Sequence, residues 1–281
     1  MRSVILDTET TIRNVGDDAV GTFAGNPHSP KNFIVAREEL TDDAEHERLD
    51  YDATGVRKVP FAIRRAASGV LTELVGHNLG FDLLYLMKTW PEEMEKALPH
   101  LYIWDTQQVE YLLSGQSELY PSLDHCCIKR GLPVKDDEIK ALWKQGVDTP
   151  LHPKDKLLNY LSGDLHNTRS VWLSQVEEVE KNPALRELVY VKMDDLLATI
   201  NMEWNGMKFD LELAYDKIAN LDKEREPLYN SIMEVMKPQF PEDFEVLVSP
   251  DQISLTLFGG KWKYEKRMEV KDEQGNPVRA R

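Results

Sequence analysis

The sequence predicts an α/β domain with a mixed sheet flanked by helices, followed by a mainly helical segment. Two observations predict it. Up to residue 182, short apolar runs alternate with stretches of helical periodicity, the pattern of a sheet layered between helices. After Pro183 amphipathic helical spacing continues with no strand between, which places a boundary near 180–184 and two regions, 1–182 and 183–281.

The first strand begins at Ser3-Val4-Ile5-Leu6, a continuous apolar run that suits burial on both faces and ends in Asp7. Residues 12–31 are dense in Gly, Asn, Asp, Pro and Ser and read as loop. Residues 32–35 (NFIV) form a second strand, whereas 37–58 are dominated by charge and are expected on the surface as a solvated face. Phe61, Ile63, Ala66, Ala67 and Val70 recur at helical spacing. Residues 74–78 (LVGHN) read as a strand running into a loop, and 81–90 as a helix that stops before Pro91. Another strand at 101–105 leads into a helix at 106–113. The helix at 122–130 is ended by Gly131 and Pro133. A long helix over 154–179 is broken by Lys181-Asn182-Pro183, and helices follow over 185–200 and 211–236. The tail 261–281 is the most basic stretch, with seven Lys/Arg against four Asp/Glu and with Trp262 and Tyr264 interleaved. Within it, 272–277 (DEQGNP) reads as a turn between two short strands.

The 281 residues make room for one large domain, or a domain and part of a second. Hydrophobic residues at 41% and charged residues at 30% exclude disordered and collagen-like chains. A balance of 34 Lys+Arg against 49 Asp+Glu, net −15, disfavours a protein that grips duplex DNA by phosphate neutralisation alone. It is compatible with carboxylates that hold divalent metals against a phosphate. Adjacent Cys126 and Cys127 build neither a disulfide framework nor a CxxC zinc site; they fit a reducing cytoplasm and read as packing residues. No apolar run approaches the ~20 residues of a membrane span, and the N-terminus lacks the apolar length of a signal peptide. The expectation is a cytoplasmic protein with no membrane partner.

Four carboxylates stand out by context. Asp7 and Glu9 sit at i and i+2 after the first apolar run, so in extended chain they point the same way. Asp-x-Glu occurs six times in the chain, and this copy alone follows an apolar run without surplus surface charge. The string Gly76-His77-Asn78-Leu79-Gly80-Phe81-Asp82 puts Asn78 at a strand end and Asp82 on the first turn of a helix, which fits either function or helix capping. Tyr160 and Asp164, at i and i+4, share one helix face. Four converging carboxylates cannot all stay ionised without cations, and an oxygen-only ligand set favours Mg or Mn over zinc. Two such ions make a clamp for phosphodiester cleavage. His77 is expected to be a structural hydrogen-bonder, and Trp104, Trp143 and Trp172 are expected in the core.

Taken in order, these features resemble the DnaQ-like 3′–5′ exonucleases of the DEDD superfamily, which have a ribonuclease H-like fold. Tyr160 is similar to the tyrosine of their DEDDy branch. The resemblance implies two divalent ions, Mg or Mn, held by Asp7, Glu9, Asp82 and Asp164. Asp7, Glu9 and Asp164 would hold the ion on the nucleophile side; Asp7 would bridge to a second, which Asp82 supports through water. Tyr160 would orient the attacking water. Asn78, Ile12 and Phe81 would meet the substrate, with Ile12 in the place of an apolar wedge and Arg13 after it. Asp105-Thr106 resembles a structural element of the family.

The likeness continues beyond the nuclease. Residues 202–210 (MEWNGMKFD) resemble the MExxGxxxD element that follows the exonuclease domain in family A DNA polymerases. Ser249-Pro250-Asp251-Gln252-Ile253 with Leu257-Phe258-Gly259 resembles their SPxQLxxxLFG element at the thumb base. A nuclease at the extreme N-terminus is most like the phage enzymes. The chain reaches Arg281 before any palm or fingers motif, so no polymerase active site is expected in it. The resemblance implies proofreading during DNA replication, with release of deoxynucleoside 5′-monophosphates from single-stranded 3′ ends. The implied partners are single-stranded DNA, primer–template DNA and the remaining polymerase portion, in cis or as a separate subunit, in a bacterial host if phage-encoded. Two alternatives stand beside it: a 3′–5′ exoribonuclease of the same fold, and a non-catalytic docking module for a polymerase subunit.

Overall fold

Continuous apolar character makes β1 (Arg2–Thr10) the central strand of a five-stranded sheet ordered β3-β2-β1-β4-β5. Val4, Ile5 and Leu6 are at most 1% exposed, so both faces are covered as the run requires. The computed structural model describes residues 2–13, 26–43, 47–134, 138–242, 244–261, 270–271 and 277–278. β2 (Ile34–Thr41) pairs antiparallel with β1, and β3 (Glu47–Tyr51) antiparallel with β2. β4 (Thr72–Gly76) and β5 (Leu101–Asp105) run parallel to β1, which makes the sheet mixed. Parallel neighbours need long crossovers. α1 (Phe61–Ala67) leads into β4, and α2 (Leu79–Thr89) with α3 (Pro91–Ala97) leads into β5. Pro91 ends α2 as expected and then opens α3, where its fixed φ suits a first helical position.

After β5 come α4 (Thr106–Leu113), α5 (Leu123–Lys129), α6 (Glu138–Lys144) and α7 (Lys154–Val179). The expected helices at 106–113 and 154–179 coincide with α4 and α7. Glu110, fully buried, accepts from Arg130 at 2.6 Å and Gln175 at 3.0 Å and so ties α4 to the segments around α5 and α7. Trp104 and Trp172 lie in the main core, while Cys126 and Cys127 pack with Val171 in a small one. Each fully buried large apolar side chain contributes about 1.5–3 kcal/mol.

The solvated face expected over 37–58 is not what forms. β2 is buried along its whole length, with Arg37 2%, Glu38 1% and Glu39 0% exposed. Charge pairing across strands makes this possible. The Arg37 guanidinium donates to Glu39 at 2.6 Å and to Asp50 on β3, and Lys58 meets Asp50 at 3.1 Å. Glu39 also accepts the backbone N–H groups of Phe61 and Ala62 at 2.7 and 2.9 Å, closing the start of α1 that Pro60 leaves uncapped.

α8 (Pro183–Asn205) buries Val189, Met193 and Ile200 in the main core. Contacts therefore divide the chain at Gly206, into Met1–Gly206 and Met207–Arg281, one helix beyond the boundary expected at 182. In the second unit, Asp210 caps α9 (Leu211–Met236) by accepting from Leu213 N–H at 3.0 Å. Ser249 caps α10 (Pro250–Phe258) through Gln252 N–H at 3.3 Å. α9 leaves Leu211, Tyr215, Ile218 and Leu221 more than half exposed. The expected terminal hairpin is present as β6 (Val270–Lys271) paired antiparallel with β7 (Pro277–Val278). Trp262 and Tyr264 lie outside the described residues. Among the described residues, no helix is long and apolar enough to cross a membrane.

Candidate active site

Asp7 and Glu9 lie within β1 rather than after it, and the two-residue period of a strand puts both on one face. α7 crosses that face and supplies Asp164. One carboxylate oxygen from each of Asp7, Glu9 and Asp164 lies within 4.8 Å of the others. Glu9 is 7% and Asp164 8% exposed, so little water screens the group. The register adds a further acid, because Glu38 on β2 stands directly opposite Asp7. Directly opposed like charges destabilise a strand pair. A hard divalent cation would offset that repulsion, and an all-oxygen donor set suits Mg or Mn. The residues present therefore fit such an ion.

Asp82 sits on the first turn of α2, 3% exposed, and accepts the Thr8 hydroxyl at 2.5 Å. Burial, reinforced by the Asp7 charge, pushes its carboxyl well above the usual carboxylate range. A cation bound beside it would favour the ionised carboxylate.

Asn78 is placed by an unusual division of labour. It occupies the N-cap of α2 in the left-handed region, φ 59°, where Asn is better tolerated than most residues. Its side chain does not cap the helix. Asp105, at the end of the neighbouring strand, accepts Asn78 N–H at 3.2 Å and Leu79 N–H at 2.8 Å, and also caps α4 through Gln107 at 2.8 Å. Burial pushes Asp105 up, against the pull of these four backbone donors that include Gln108. Of the two readings of Asn78, capping thus falls to Asp105, and the Asn78 side chain is exposed. At Gly76, two residues before, a Cβ would stand 2.5 Å from Leu79 Cδ1, so a larger residue there would have to displace the Leu79 side chain. His77 Nδ1 lies 2.9 Å from Thr106 Oγ1, in the structural role expected for it.

Tyr160 is half-buried one helical turn before Asp164, with Trp143 edge-on at 5.6 Å between ring centres. Phe81 is half-buried against Tyr85, ring centres 5.0 Å apart. Ile12 does not stand out as a wedge: it is 5% exposed, and its N–H donates to Asp148 at 3.0 Å. Arg13, next to it, donates to the same carboxylate at 2.8 Å, which holds this turn inward.

The structure thus gathers Asp7, Glu9 and Asp164 tightly, holds Asp82 on the Thr8 hydroxyl within reach of the Asp7 charge, and leaves Ile12 in the packing. Sequence reasoning passed over Thr8, Glu38 and Asp148. Asp148-Thr149-Pro150 carries a readable signal, because Asp before Thr-Pro favours a local turn, and Asp148 accepts Thr149 N–H at 3.0 Å. Glu38 carries none, being one acid in a charge run.

A scan of protein-family models and a search of curated proteins found no match. Solved structures of nucleases share the fold. A structure described as the apo form of the nuclease superposes with a TM-score of 0.53 at 13% identity, over 74% of this chain and 88% of that one. NrnC of Brucella melitensis bound to pGG gives 0.52 at 15% identity, over 74% and 88%. NrnC with bound Mg2+ gives 0.52 at 14%, over 74% and 89%. The fold is the ribonuclease H-like mixed sheet flanked by helices, with a helical C-terminal segment.

Proposed function

We propose that the chain is a metal-dependent 3′–5′ exodeoxyribonuclease that proofreads for a family A type DNA polymerase. The observation that carries the reading is the convergence of Asp7, Glu9 and Asp164 within 4.8 Å, with Asp82 held on the Thr8 hydroxyl within reach of the Asp7 charge. Asp7, Glu9 and Asp164 would hold one divalent ion, and Asp7 with Asp82 a second. Bound ions of this kind activate water and stabilise charge on the scissile phosphate and the departing 3′ oxygen. The protein side of the reaction follows from the residues. The Tyr160 hydroxyl, on the Asp164 face of α7, orients the attacking water. The exposed Asn78 side chain meets the 3′-terminal nucleotide, with Phe81 as its apolar neighbour. Water loses a proton as its oxygen bonds to phosphorus, the P–O3′ bond breaks, the 3′ oxygen of the shortened strand takes up a proton to become a hydroxyl, and a nucleoside 5′-monophosphate departs.

The polymerase context rests on the elements at 202–210 and 249–259. It gains support from the apolar side chains that α9 exposes, which suit a covering partner such as the remaining polymerase portion. A second reading is a 3′–5′ exoribonuclease of the same fold; the description of NrnC bound to pGG is compatible with it.

Digestion of a 5′-labelled single-stranded oligodeoxynucleotide with Mg or Mn, beside its RNA counterpart, tests the proposal. A DNA ladder that shortens from the 3′ end is expected. A ladder with RNA alone would favour the second reading, and none with either would leave a docking scaffold.

A further inference from the structure

On the β3 side of the sheet lies an open cleft of about 580 Å³, within the size range of ligand sites. Arg37, Arg48, Lys58 and Arg64 line it, with Glu39 and Asp50 between them. The register sets it apart from the metal centre. Arg37 pairs with Thr8 and Glu39 with Leu6, positions that alternate with Asp7 and Glu9 and so face the other side of the sheet.

Both acids in the cleft are already engaged. Glu39 accepts Arg37 and the first two N–H groups of α1; Asp50 holds Arg37 and Lys58. The cations are not all satisfied. Arg37 is 2% exposed, yet its Nε has no hydrogen-bond partner among the described residues. The buried Nη1 of Arg48 has none either. The Arg48 guanidinium lies 3.9 Å from the centre of the Phe61 ring, which holds it by a cation–π contact and leaves its edge for hydrogen bonds. Buried donors without acceptors are costly, and a surplus of cations is out of keeping with a chain of net charge −15. A phosphate supplies both missing things, negative charge and several acceptor oxygens in a geometry that guanidinium forks match.

We propose that this cleft is an exosite for backbone phosphates of the nucleic-acid strand, holding a stretch remote from the scissile bond. The proposal rests on the nuclease reading. A free nucleotide carries the same phosphate chemistry, so the test separates the two sources.

Lys58→Ala combined with Arg64→Ala removes the two exposed cations and leaves the Arg37–Glu39 pair intact. Arg48→Lys keeps the charge but loses the planar fork. Thermal melting establishes that each variant is folded. Anisotropy of a labelled 20-mer single-stranded DNA, in EDTA at several salt concentrations, reads strand binding. The double variant is expected to bind about 10-fold more weakly, with the salt slope reduced by about 1.4 for two lost phosphate contacts. Arg48→Lys is expected to weaken binding as well, and cleavage of a trinucleotide with Mg is expected to stay at the wild-type rate. Unchanged 20-mer affinity and slope in the folded double variant would overturn the exosite. Loss of deoxyadenosine monophosphate binding with 20-mer binding unchanged would assign the cleft to free nucleotide and overturn the strand assignment. A wild type that binds the 20-mer through this cleft but cuts nothing would remove the nuclease reading and leave the exosite standing.

Discussion

The β1–β2 strand pair carries two buried charge clusters on its opposite faces, and they are built differently. On one face Asp7, Glu9 and Asp164 bring like charges together, with Glu38 in register beside Asp7. On the other, Arg37 stands between Glu39 and Asp50, and Lys58 adds a second cation. Interleaved opposites satisfy much of their own charge and can be part of the fold. Gathered acids repel, and a bound divalent cation would offset that repulsion. Arrangement rather than acid content therefore separates the candidate metal centre from the paired charges that hold β2 inside.

The largest expected effect is on the acid face. Asp7→Ala should lower cleavage by roughly 10³-fold or more, while the metal-free variant melts no lower than wild type because a repulsion has been removed. Steady-state rates and melting curves check both halves. A variant that cuts normally would break the comparison.

The mixed-charge face should respond in the opposite sense. Arg37→Ala leaves Glu39 and Asp50 without their shared partner, at a cost of about 3–5 kcal/mol in stability. Urea unfolding would measure it, and a cost near zero would mean the pairing does not hold β2 inside.

Tyr160→Phe sharpens the division within the site. It should slow cleavage by about 10–100-fold and leave metal affinity unchanged, since it removes a hydroxyl and no ligand. Parallel rate and Mn titrations would show whether the two separate.

The smallest effect concerns Glu73, a buried acid held by the Ser3 hydroxyl at 2.6 Å. Burial raises its carboxyl above the ordinary range of a glutamate, against the pull of the Ser3 hydroxyl. A raised carboxylic acid binds its proton more tightly in the folded state. Its contribution to stability is thus present at low pH and is lost as pH rises through the folded value. Glu73→Gln should therefore stabilise the protein near neutral pH and make little difference at about pH 4. Melting temperatures at both would reveal it; an effect of equal size at the two would rule out titration as its origin.

Much of this was legible in the sequence, and the reasons are local. β5 announces itself as an apolar run ending in Asp105, and α4 starts where Asp105 caps it. α7 and α9 carry long helical periodicity and clear ends. The start of β2 was legible in the apolar run 32–35, but its charged continuation and β3 were not, because Arg37, Glu39 and Asp50 look solvated until the strand register pairs them. α8 looked like part of the following segment, and its burial of Val189, Met193 and Ile200 is a tertiary fact. In the site, the period-two spacing of Asp7 and Glu9 and the helix carrying Asp164 foretold the cluster. The hand-over of capping from Asn78 to Asp105, and the inward turn at Ile12 held by Asp148, depend on residues distant in sequence.

The central claim is that the gathered acids hold divalent cations. Titration of Mn2+ into metal-free protein, followed by electron paramagnetic resonance, tests it most directly. Saturable binding in the wild type that is lost in Asp7→Ala is the predicted result. Binding that is absent from the wild type, or unchanged in Asp7→Ala, would contradict it.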